Sequence, residues 1–240
     1  MTSFGSRSDD VLPLKHALSS WTSPHLLDCQ KLDSQTMNAA NAANDNTKSI
    51  FVTTKTTTPF QMSIHNPANV PDEVSSYIKK NGCWECDHIK KMTQALSSND
   101  DSYLLDIGGN IGMWTLAAAA ANKHTFTIEP SQNNFHRICE TVNKNSFNDR
   151  VHLMTIAATD TPQVFSIAEM RGNLGGTQVK DISPDDAAAL AAKDSAAIIK
   201  GVPIDSLKLP TDRPVVMKVD VEGHYWVHWN SYNNRTLFLL

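Results

Sequence analysis

The stretch YLLDIGGNIG, from Tyr103 to Gly112, decides the fold class. Its first half is a short apolar run, as expected for a strand buried on both faces. Its second half is a glycine-rich turn, and the segment 111–121 that follows is predicted to be a helix. Glycines let the backbone turn sharply and approach a ligand, while the start of a helix offers free N–H groups. The stretch therefore predicts a strand, a ligand-binding loop and a helix.

Strands and helices alternate after this loop. An N-cap serine, Ser183, is predicted to begin an alanine-rich helix that runs to Lys200. The other predicted elements are strands at 125–129, 151–156 and 214–220, an extra strand or hairpin arm at 164–167, and a helix at 135–145. Such alternation is typical of parallel strands with helical crossovers, so we predict an α/β fold with a parallel sheet.

The segments before this region have a different character. Residues 1–48 contain few aromatic residues and include the run NAANAANDN at 38–46, so they are predicted to form a disordered leader. Residues 49–100 are predicted to form a small N-terminal cap, with short strands near 50–52 and 60–65 and helices at 71–80 and 87–96. The main domain is predicted to span 101–224.

The composition argues against several partners and locations. The 240 residues carry 21 Lys and Arg against 25 Asp and Glu, which is not the basic excess expected of a nucleic-acid-binding protein. The longest apolar stretches, such as 116–121, are much shorter than the roughly 20 residues of a membrane span. Acids near the N-terminus disfavour a signal peptide. Because the chain has only four cysteines, we expect reduced thiols and an intracellular, cytoplasmic location.

The loop also carries polar groups that suggest its ligand. Gly108, Gly109 and Gly112 do not have the G-x-G-x-x-G spacing of dinucleotide sites, and the preceding strand ends near an acid, Asp106. A carboxylate there would not help to bind a pyrophosphate but would suit a cofactor with a cationic amino-acid portion. A glycine turn that serves only chain geometry remains the alternative.

A second acid strengthens the case for a nucleoside. Glu129 ends the next predicted strand, 21 residues after Gly108, and the ends of neighbouring parallel strands lie about 5 Å apart. Its two carboxylate oxygens could accept hydrogen bonds from both hydroxyls of a ribose, the role that such an acid takes in nucleotide sites. Alone it could be a solvated acid, but together with the loop it predicts a bound adenosine moiety.

Four runs of the sequence resemble one known family. They are LLDIGGNIGMWTLAAAA (104–120), TFTIEPSQNNFHRICETVNKN (125–145), VPIDSL (202–207) and VVMKVDVEGH (215–224). Together they resemble the FkbM-type methyltransferases over about residues 50–224. The resemblance implies a class I methyltransferase fold, which is a Rossmann-like parallel sheet, and S-adenosyl-L-methionine as the cofactor. It also implies O-methylation of a hydroxyl on a sugar, glycan or other small-molecule acceptor.

The same resemblance implies roles for individual residues. Glu129 would hold the ribose, Ala157 and Ala158 would lie near the adenine, and Gly223 would contribute to the wall between cofactor and acceptor. The loop residues that would line the methionine and ribose part are Asp106, Gly108, Gly109, Asn110 and Gly112. The candidates for the catalytic base are Asp220, Glu222 and His224, which follow the strand at 214–220. An equally acceptable alternative is that Asp220 only positions cofactor or substrate.

The C-terminal end departs from the family pattern. Tyr225 stands where a second glutamate is expected, and the tail at 225–240 does not resemble a clear helix or a complete pair of strands. We therefore expect the reading frame to diverge at or just after His224. The sheet would then be incomplete after its fourth core strand, with an unpaired edge.

Other patterns and functions remain to be weighed. Cys83 and Cys86 form a C-x-x-C pair, but no second pair exists for a structural zinc, and redox chemistry would require the pair to open a helix after a strand. His224 and His228 also lack further ligands, so we predict no metal site. Two alternatives to a methyltransferase remain: a non-catalytic partial fold and, less favoured, a nicotinamide oxidoreductase. The oligomeric state and the acceptor stay undetermined.

Overall fold

The structure, a computed structural model, describes residues 26, 27, 29, 49–170, 173–191, 193, 198–221 and 235–239. Its strands are β1 (Leu26–Leu27), β2 (Ser49–Thr53), β3 (Gln61–His65), β4 (Tyr103–Ile107), β5 (His124–Ile128), β6 (Val151–Met154), β7 (Ala157–Thr159), β8 (Gln163–Met170), β9 (Asn173–Asp181), β10 (Ile198–Pro203), β11 (Val215–Val219) and β12 (Arg235–Leu239). Its α-helices are α1 (Glu73–Asn81), α2 (Cys86–Ser97), α3 (Met113–Ala120), α4 (Gln132–Asn145) and α5 (Pro184–Ala191).

The main sheet has the order β1-β6-β5-β4-β11-β12. All neighbouring pairs are parallel except β1 with β6. The chain moves from β4 outward through β5 to β6 and then returns to the other side of β4 with β11. The strand order therefore reverses between β4 and β11. The predicted α/β fold with a parallel sheet is confirmed.

Both faces of this sheet are buried, as the apolar run at β4 predicts. Tyr103, Leu105 and Ile107 point to one face, where they join Phe126 in a core cluster. Leu104 points to the other face and joins a larger cluster with residues of the helices and the cap. Because side chains alternate along a strand, Asp106 shares the face of Leu104, the one covered by α3.

The cap contains the elements that the sequence predicts. In the β2–β3 hairpin, Ser63 N donates to Thr141 Oγ1 of α4 at 2.8 Å, which holds the hairpin on that helix. Helix α1 begins at an N-cap aspartate, Asp72, whose side chain accepts from Ser75 N, and ends at Gly82 in the left-handed conformation. The cap therefore packs directly behind the helix that follows β5.

Part of the predicted leader is ordered. Leu26 and Leu27 pair with β6, and the buried Cys29 forms a disulfide with Cys139 of α4. The structure differs from the expected disorder at these three residues. The other two cysteines, 83 and 86, form a second disulfide, so no cysteine is free. The expectation of reduced thiols is wrong for this structure, and the intracellular location inferred from it loses that support.

A second sheet, of order β7-β10-β8-β9, lies beside the main one. The hairpin arm expected at 164–167 is confirmed as part of β8, and the next strand, β9, begins at Asn173. The helix predicted to reach Lys200 ends at Ala191, and β10 begins at Ile198. Ile199 is buried against Phe165, so pairing with β8 overrides the helical preference of the alanine-rich run.

The tail also supplies a strand. The five residues of β12 pair in parallel register with the five residues of β11, from Val215 opposite Arg235 to Val219 opposite Leu239. The expectation that the sheet stops at β11 with an unpaired edge is therefore wrong. The main sheet has a fifth parallel strand, because β12 follows β6, β5, β4 and β11 in the order.

Candidate functional site

The glycine loop lies where the strand order reverses. It leaves β4 and leads into α3, beside the end of β5. Gly108 N and Gly109 N both donate to Ile128 O, at 2.9 and 3.0 Å, and Gly112 N donates to Gly109 O at 2.8 Å. In open α/β sheets, ligands bind outside the carboxyl ends of the strands at such a reversal. The loop is therefore fixed at the position where this fold class binds its ligands.

Gly108 is required by the backbone of the neighbouring strand. Its φ is +81°, and a Cβ there would lie 1.8 Å from the carbonyl oxygen of Asp220. Asp220 N in turn donates to Ile107 O at 3.0 Å. The sequence correctly indicates a close approach at Gly108, but the approaching group in the structure is the chain after β11. The ends of β4 and β11 thus touch backbone to backbone.

The remainder of the loop is closed by its own polar groups. Asn110 has a φ of +51°, and its Oδ1 accepts from Ile111 N at 2.6 Å. Gly109 lies against Thr127 of β5, and Gly112, with a φ of +89°, precedes α3. The predicted loop residues therefore share one compact turn.

Glu129 connects this loop to the end of β5. Its Oε2 accepts from Asn110 N at 2.7 Å, while its Oε1 accepts from Ser131 N at 2.8 Å and from Asn134 Nδ2 at 3.3 Å. The residue is only 4% exposed. The structure thus brings Glu129 and the glycine loop together, as the strand-end geometry predicts. A carboxylate has about four acceptor positions, so the three bonds leave one free on Oε2.

Burial changes the acidity of this carboxyl. Loss of solvent raises the pKa of Glu129 to about 7, although hydrogen bonds from Ser131 N, Asn110 N and Asn134 and the charge of Lys218 act in the opposite direction. Near neutral pH both protonation states are therefore populated. Hydrogen-bond donors brought by a ligand would favour the ionised form.

A buried chain of side chains supports Glu129 from the cap. Asn134 of α4 donates through Nδ2 to Glu129, so its Oδ1 is the atom that faces His65 Nε2 of β3 at 3.2 Å. With this amide orientation the imidazole carries its proton on Nε2. Burial lowers the pKa of His65, which favours the neutral ring. Sequence reasoning missed both residues, because nothing in the local pattern places β3 against α4.

Asp106 lies in a buried polar cluster beneath the loop. Thr115 Oγ1 of α3 donates to its Oδ2 at 2.7 Å, and Lys218 Nζ of β11 lies 3.4 Å from its Oδ1. The side chains of Asp106 and Lys218 are 0% and 4% exposed. Asp106 therefore holds the ends of β4 and β11 together from within, rather than facing an open surface.

Lys218 is a third residue at this site that sequence reasoning did not assign. Its Nζ also donates to Gly108 O and lies 3.7 Å from Asp220 Oδ2. Lys218 and Asp106 are direct register partners on adjacent strands. The available signal was a lysine within an apolar strand that is buried on both faces, since such a charge needs a partner.

The remaining predicted residues are only partly described. Asp220 follows β11 with its side chain 41% exposed, so it is accessible beside the loop. Glu222, Gly223 and His224 lie outside the described residues. Ala157 and Ala158 belong to β7, where they pair with Gly201 and Val202 of β10 in the second sheet. Their assignment to an adenine pocket stays a prediction.

Comparisons with known proteins give little further information. No family model matches the chain, and no curated protein gives a significant match. A SAM-dependent methyltransferase structure from Agrobacterium tumefaciens is similar at 14% identity and a TM-score of 0.35, over 46% of this chain and 33% of that one. A proposed transferase from Pyrococcus horikoshii is similar at 11% identity and a TM-score of 0.36, over 60% of both chains. This chain thus spans less than two thirds of either protein.

The described part of the chain shows neither a membrane-spanning helix nor a metal cluster. None of its helices has the length and apolar character to cross a bilayer. No group of three or more His, Cys, Asp or Glu side chains within those ranges could hold a metal ion. The function is therefore inferred from the loop, its carboxylates and Lys218.

Proposed function

We propose that this protein is an S-adenosyl-L-methionine-dependent methyltransferase of the FkbM type, acting on a hydroxyl of a sugar or other small molecule. The observation that carries the proposal is the contact between Glu129 and the glycine loop. The buried carboxylate accepts from Asn110 N at 2.7 Å, at the place where the strand order reverses. A nucleoside site in this fold class needs both parts, a backbone loop and a strand-end acid, side by side.

The donors and acceptors fit an adenosine with a cationic tail. Glu129 keeps one acceptor position for a ribose hydroxyl, and a second could open if Asn134 Nδ2, whose bond is the longest of the three at 3.3 Å, turned away. Besides the buried pair of Asp106 and Lys218, these strand ends carry the carboxyl groups of Glu129 and Asp220. Such an acidic balance suits a sulfonium and an α-ammonium better than a pyrophosphate.

The cofactor would supply a methyl group on a positively charged sulfur, and the protein would supply alignment. Transfer of a methyl group is an in-line displacement, and holding the reacting groups in near-attack geometry can lower the barrier by roughly 7 to 11 kcal/mol. The compact loop and the Asp106–Lys218 pair are suited to this task, since they fix the ends of β4 and β11. In this proposal Asp106 and Lys218 position the loop and Asp220.

A hydroxyl acceptor must also lose a proton. Asp220 is half-exposed beside the loop and is the one described candidate among the three predicted bases. Lys218 Nζ, at 3.7 Å from its Oδ2, would hold the carboxylate in place. Asp220 would therefore accept the proton or orient the acceptor hydroxyl, and replacement by asparagine separates the roles. Asn could still orient a hydroxyl but could not take its proton.

Calorimetric titration of the purified protein tests the proposal. The titrants are S-adenosylhomocysteine, the demethylated product, and NAD as the competing cofactor. We expect binding of the first and none of the second, with weaker binding in Glu129→Ala. Glu73→Ala, which removes an exposed acid of the cap, should bind like the wild type. Binding of NAD alone, or of neither compound by folded protein, would overturn the assignment.

A further inference from the structure

The two disulfides differ in how far solvent can reach them. Cys29 and Cys139 are both buried, at 6% and 0% exposure, and their bridge spans 110 residues of sequence. In the other disulfide Cys83 is buried at 1% exposure, whereas Cys86 is exposed. Cys86 is therefore the exposed residue among the four cysteines. The buried bridge can therefore serve as an internal control for the exposed one.

Cys86 lies at the start of a helix, in a first turn that also contains the acid Asp87. It is the first residue of α2, where free backbone N–H groups and the helix dipole stabilise negative charge. Lys90 is exposed and lies one turn further on, at the i+4 spacing that puts two side chains on the same helix face. The preceding acid, Glu85, accepts a hydrogen bond from Trp114 Nε1 at 2.8 Å. The first turn of α2 thus has the features of a reactive cysteine.

The short bridge adds little to the stability of the fold. Residues 83 and 86 are three apart in sequence, and the stability that a disulfide gives by restricting the unfolded chain grows with the length of the loop it closes. Two left-handed residues, Gly82 just before the loop and Glu85 within it, already form the turn. Breaking this bridge should therefore leave the surrounding cap folded, which a reversible bond requires.

We propose that Cys83 and Cys86 form a redox-active pair that exchanges with an external dithiol, and that Cys86 Sγ is the atom attacked. The pair lies at the start of α2, next to the helix that the sequence predicts at 87–96, and it follows α1 rather than a strand. The proposal concerns the cap and does not depend on methyl transfer. The substrate class is a small or protein-borne dithiol in the forward direction and a disulfide in reverse.

The exchange balances in two steps. A thiolate of the external dithiol attacks Cys86 Sγ, the bond between the two protein sulfurs breaks, and Cys83 leaves as a thiolate that takes a proton. The second thiol of the reagent, as its thiolate, then attacks the mixed disulfide and releases Cys86 as a thiolate. The protein disulfide is reduced by two electrons, and the dithiol is oxidised to its cyclic disulfide.

Graded reduction of the native protein tests the difference between the bridges. The full chain is treated with increasing dithiothreitol, alkylated with iodoacetamide and analysed by peptide mass spectrometry. We expect residues 83 and 86 to be alkylated at a dithiothreitol concentration at least about tenfold lower than residues 29 and 139, while the circular dichroism spectrum is unchanged. Equal concentrations, or earlier reduction of the buried bridge, would overturn the proposal.

Single variants identify the attacked sulfur. Cys83→Ser leaves Cys86 alone on the surface, so oxidised glutathione should convert it to a mixed disulfide within minutes. Cys86→Ser leaves the buried Cys83, which should react more than about tenfold more slowly. The double serine variant, which should keep the circular dichroism spectrum and the cooperative unfolding of the wild type, controls for folding. Faster labelling of Cys83 than of Cys86 would contradict the assignment.

Discussion

Lys218 and Asp106 form a buried ion pair across β11 and β4, with Nζ 3.4 Å from Oδ1. The two residues are direct register partners, and the same ammonium donates to Gly108 O. A buried charge is tolerated only when it is paired and hydrogen-bonded. The pair therefore fixes the relative position of the two strand ends that flank the glycine loop.

Lys218→Met should destabilise the protein strongly. The change leaves the Asp106 carboxylate buried and unpaired, which typically costs about 3 to 5 kcal/mol. Urea unfolding measures the loss. Lys79→Met, at an exposed position of α1, is the control and should change the free energy of unfolding by less than about 0.5 kcal/mol.

A double variant distinguishes loss of the pair from loss of packing. Adding Asp106→Asn to Lys218→Met removes the uncompensated charge, so part of the lost stability should return. If the double variant is as unstable as the sum of the two single changes, the two residues do not interact as described.

The two loop glycines should respond differently to alanine. A Cβ at Gly108 would lie 1.8 Å from the Asp220 carbonyl oxygen, and residue 108 has a φ of +81°. The neighbour is backbone and cannot easily move, and alanine rarely adopts this φ. A Cβ at Gly109 would clash with the Thr127 methyl, at 2.5 Å, and would otherwise meet neighbours at ordinary contact distances of 3.8 Å. Gly108→Ala should therefore cost more than about 3 kcal/mol in thermal or urea unfolding, since the positive φ alone costs roughly 1 to 2.

Trimming the neighbour provides the matched test. Thr127→Ser removes the methyl that would clash with alanine at 109 but keeps the hydroxyl that hydrogen-bonds to Thr115. Stability lost in Gly109→Ala should largely return in the double variant. The same second change should not rescue Gly108→Ala, and rescue there would show that the backbone contact with Asp220 is not what requires glycine.

Elements set by local sequence could be predicted, whereas elements that depend on pairing with distant strands could not. The strand, loop and helix around Tyr103–Gly112 and the capped helix α1 were predictable, since local composition and capping residues determine them. The length of the alanine-rich helix was not, because β10 forms by pairing with β8 and buries Ile199. The strand in the tail was missed for a related reason, since β12 becomes a strand through its register with β11.

The candidate site likewise contains some residues that sequence could predict and others that it could not. Glu129 and the loop could be brought together from the geometry of strand ends. Lys218, Asn134 and His65 could not be assigned, because their roles depend on contacts across strands, or between the cap and α4, that are distant in sequence. The one local sign was Lys218 itself, a charged residue within the apolar strand β11.

Deleting residues 235–240 should expose the edge of β11. All five residues of β12 pair with that strand, and an unpaired edge tends to associate with other chains. We expect a lower free energy of unfolding and concentration-dependent association in analytical ultracentrifugation. Removing Leu240 alone keeps all five residues of β12 and serves as the control. A deletion variant that stays monomeric and equally stable would show that β12 is dispensable.

Glu129 should make stability depend on pH in a defined direction. Its pKa is about 7 in the folded protein, whereas the ordinary value of a glutamate is 4.5, so between these values the folded state binds more protons than the unfolded state. This contribution is complete below pH 4.5 and is lost as the pH rises through 7, by up to about 3 kcal/mol. Relative to wild type, Glu129→Gln should therefore gain stability as the pH is raised from 5 to 8.

The comparison of wild type and variant at each pH isolates this group. Burial lowers the pKa values of His65, His136 and His152, and these rings destabilise the fold as the pH falls below 6.5 in both proteins. Their contribution cancels in the difference between the two urea unfolding curves. A difference that stays constant from pH 5 to 8 would mean that Glu129 ionises like a solvated acid.

Affinity for the ligand should rise with pH, whereas the stability that Glu129 contributes falls. The hydroxyls of a ribose donate hydrogen bonds, so they bind the ionised form of Glu129, and with a pKa of about 7 only about a tenth of the protein is ionised at pH 6. S-adenosylhomocysteine should therefore bind about tenfold more weakly at pH 6 than at pH 8 in calorimetric titrations. Glu129→Gln should bind about 1.5 to 3 kcal/mol more weakly at pH 8 and lose most of the pH dependence, because the charged acceptor is gone. Affinity that is flat in the wild type, or a pH dependence that persists in the glutamine variant, would remove Glu129 from the ribose and leave the glycine loop to bind the nucleoside alone.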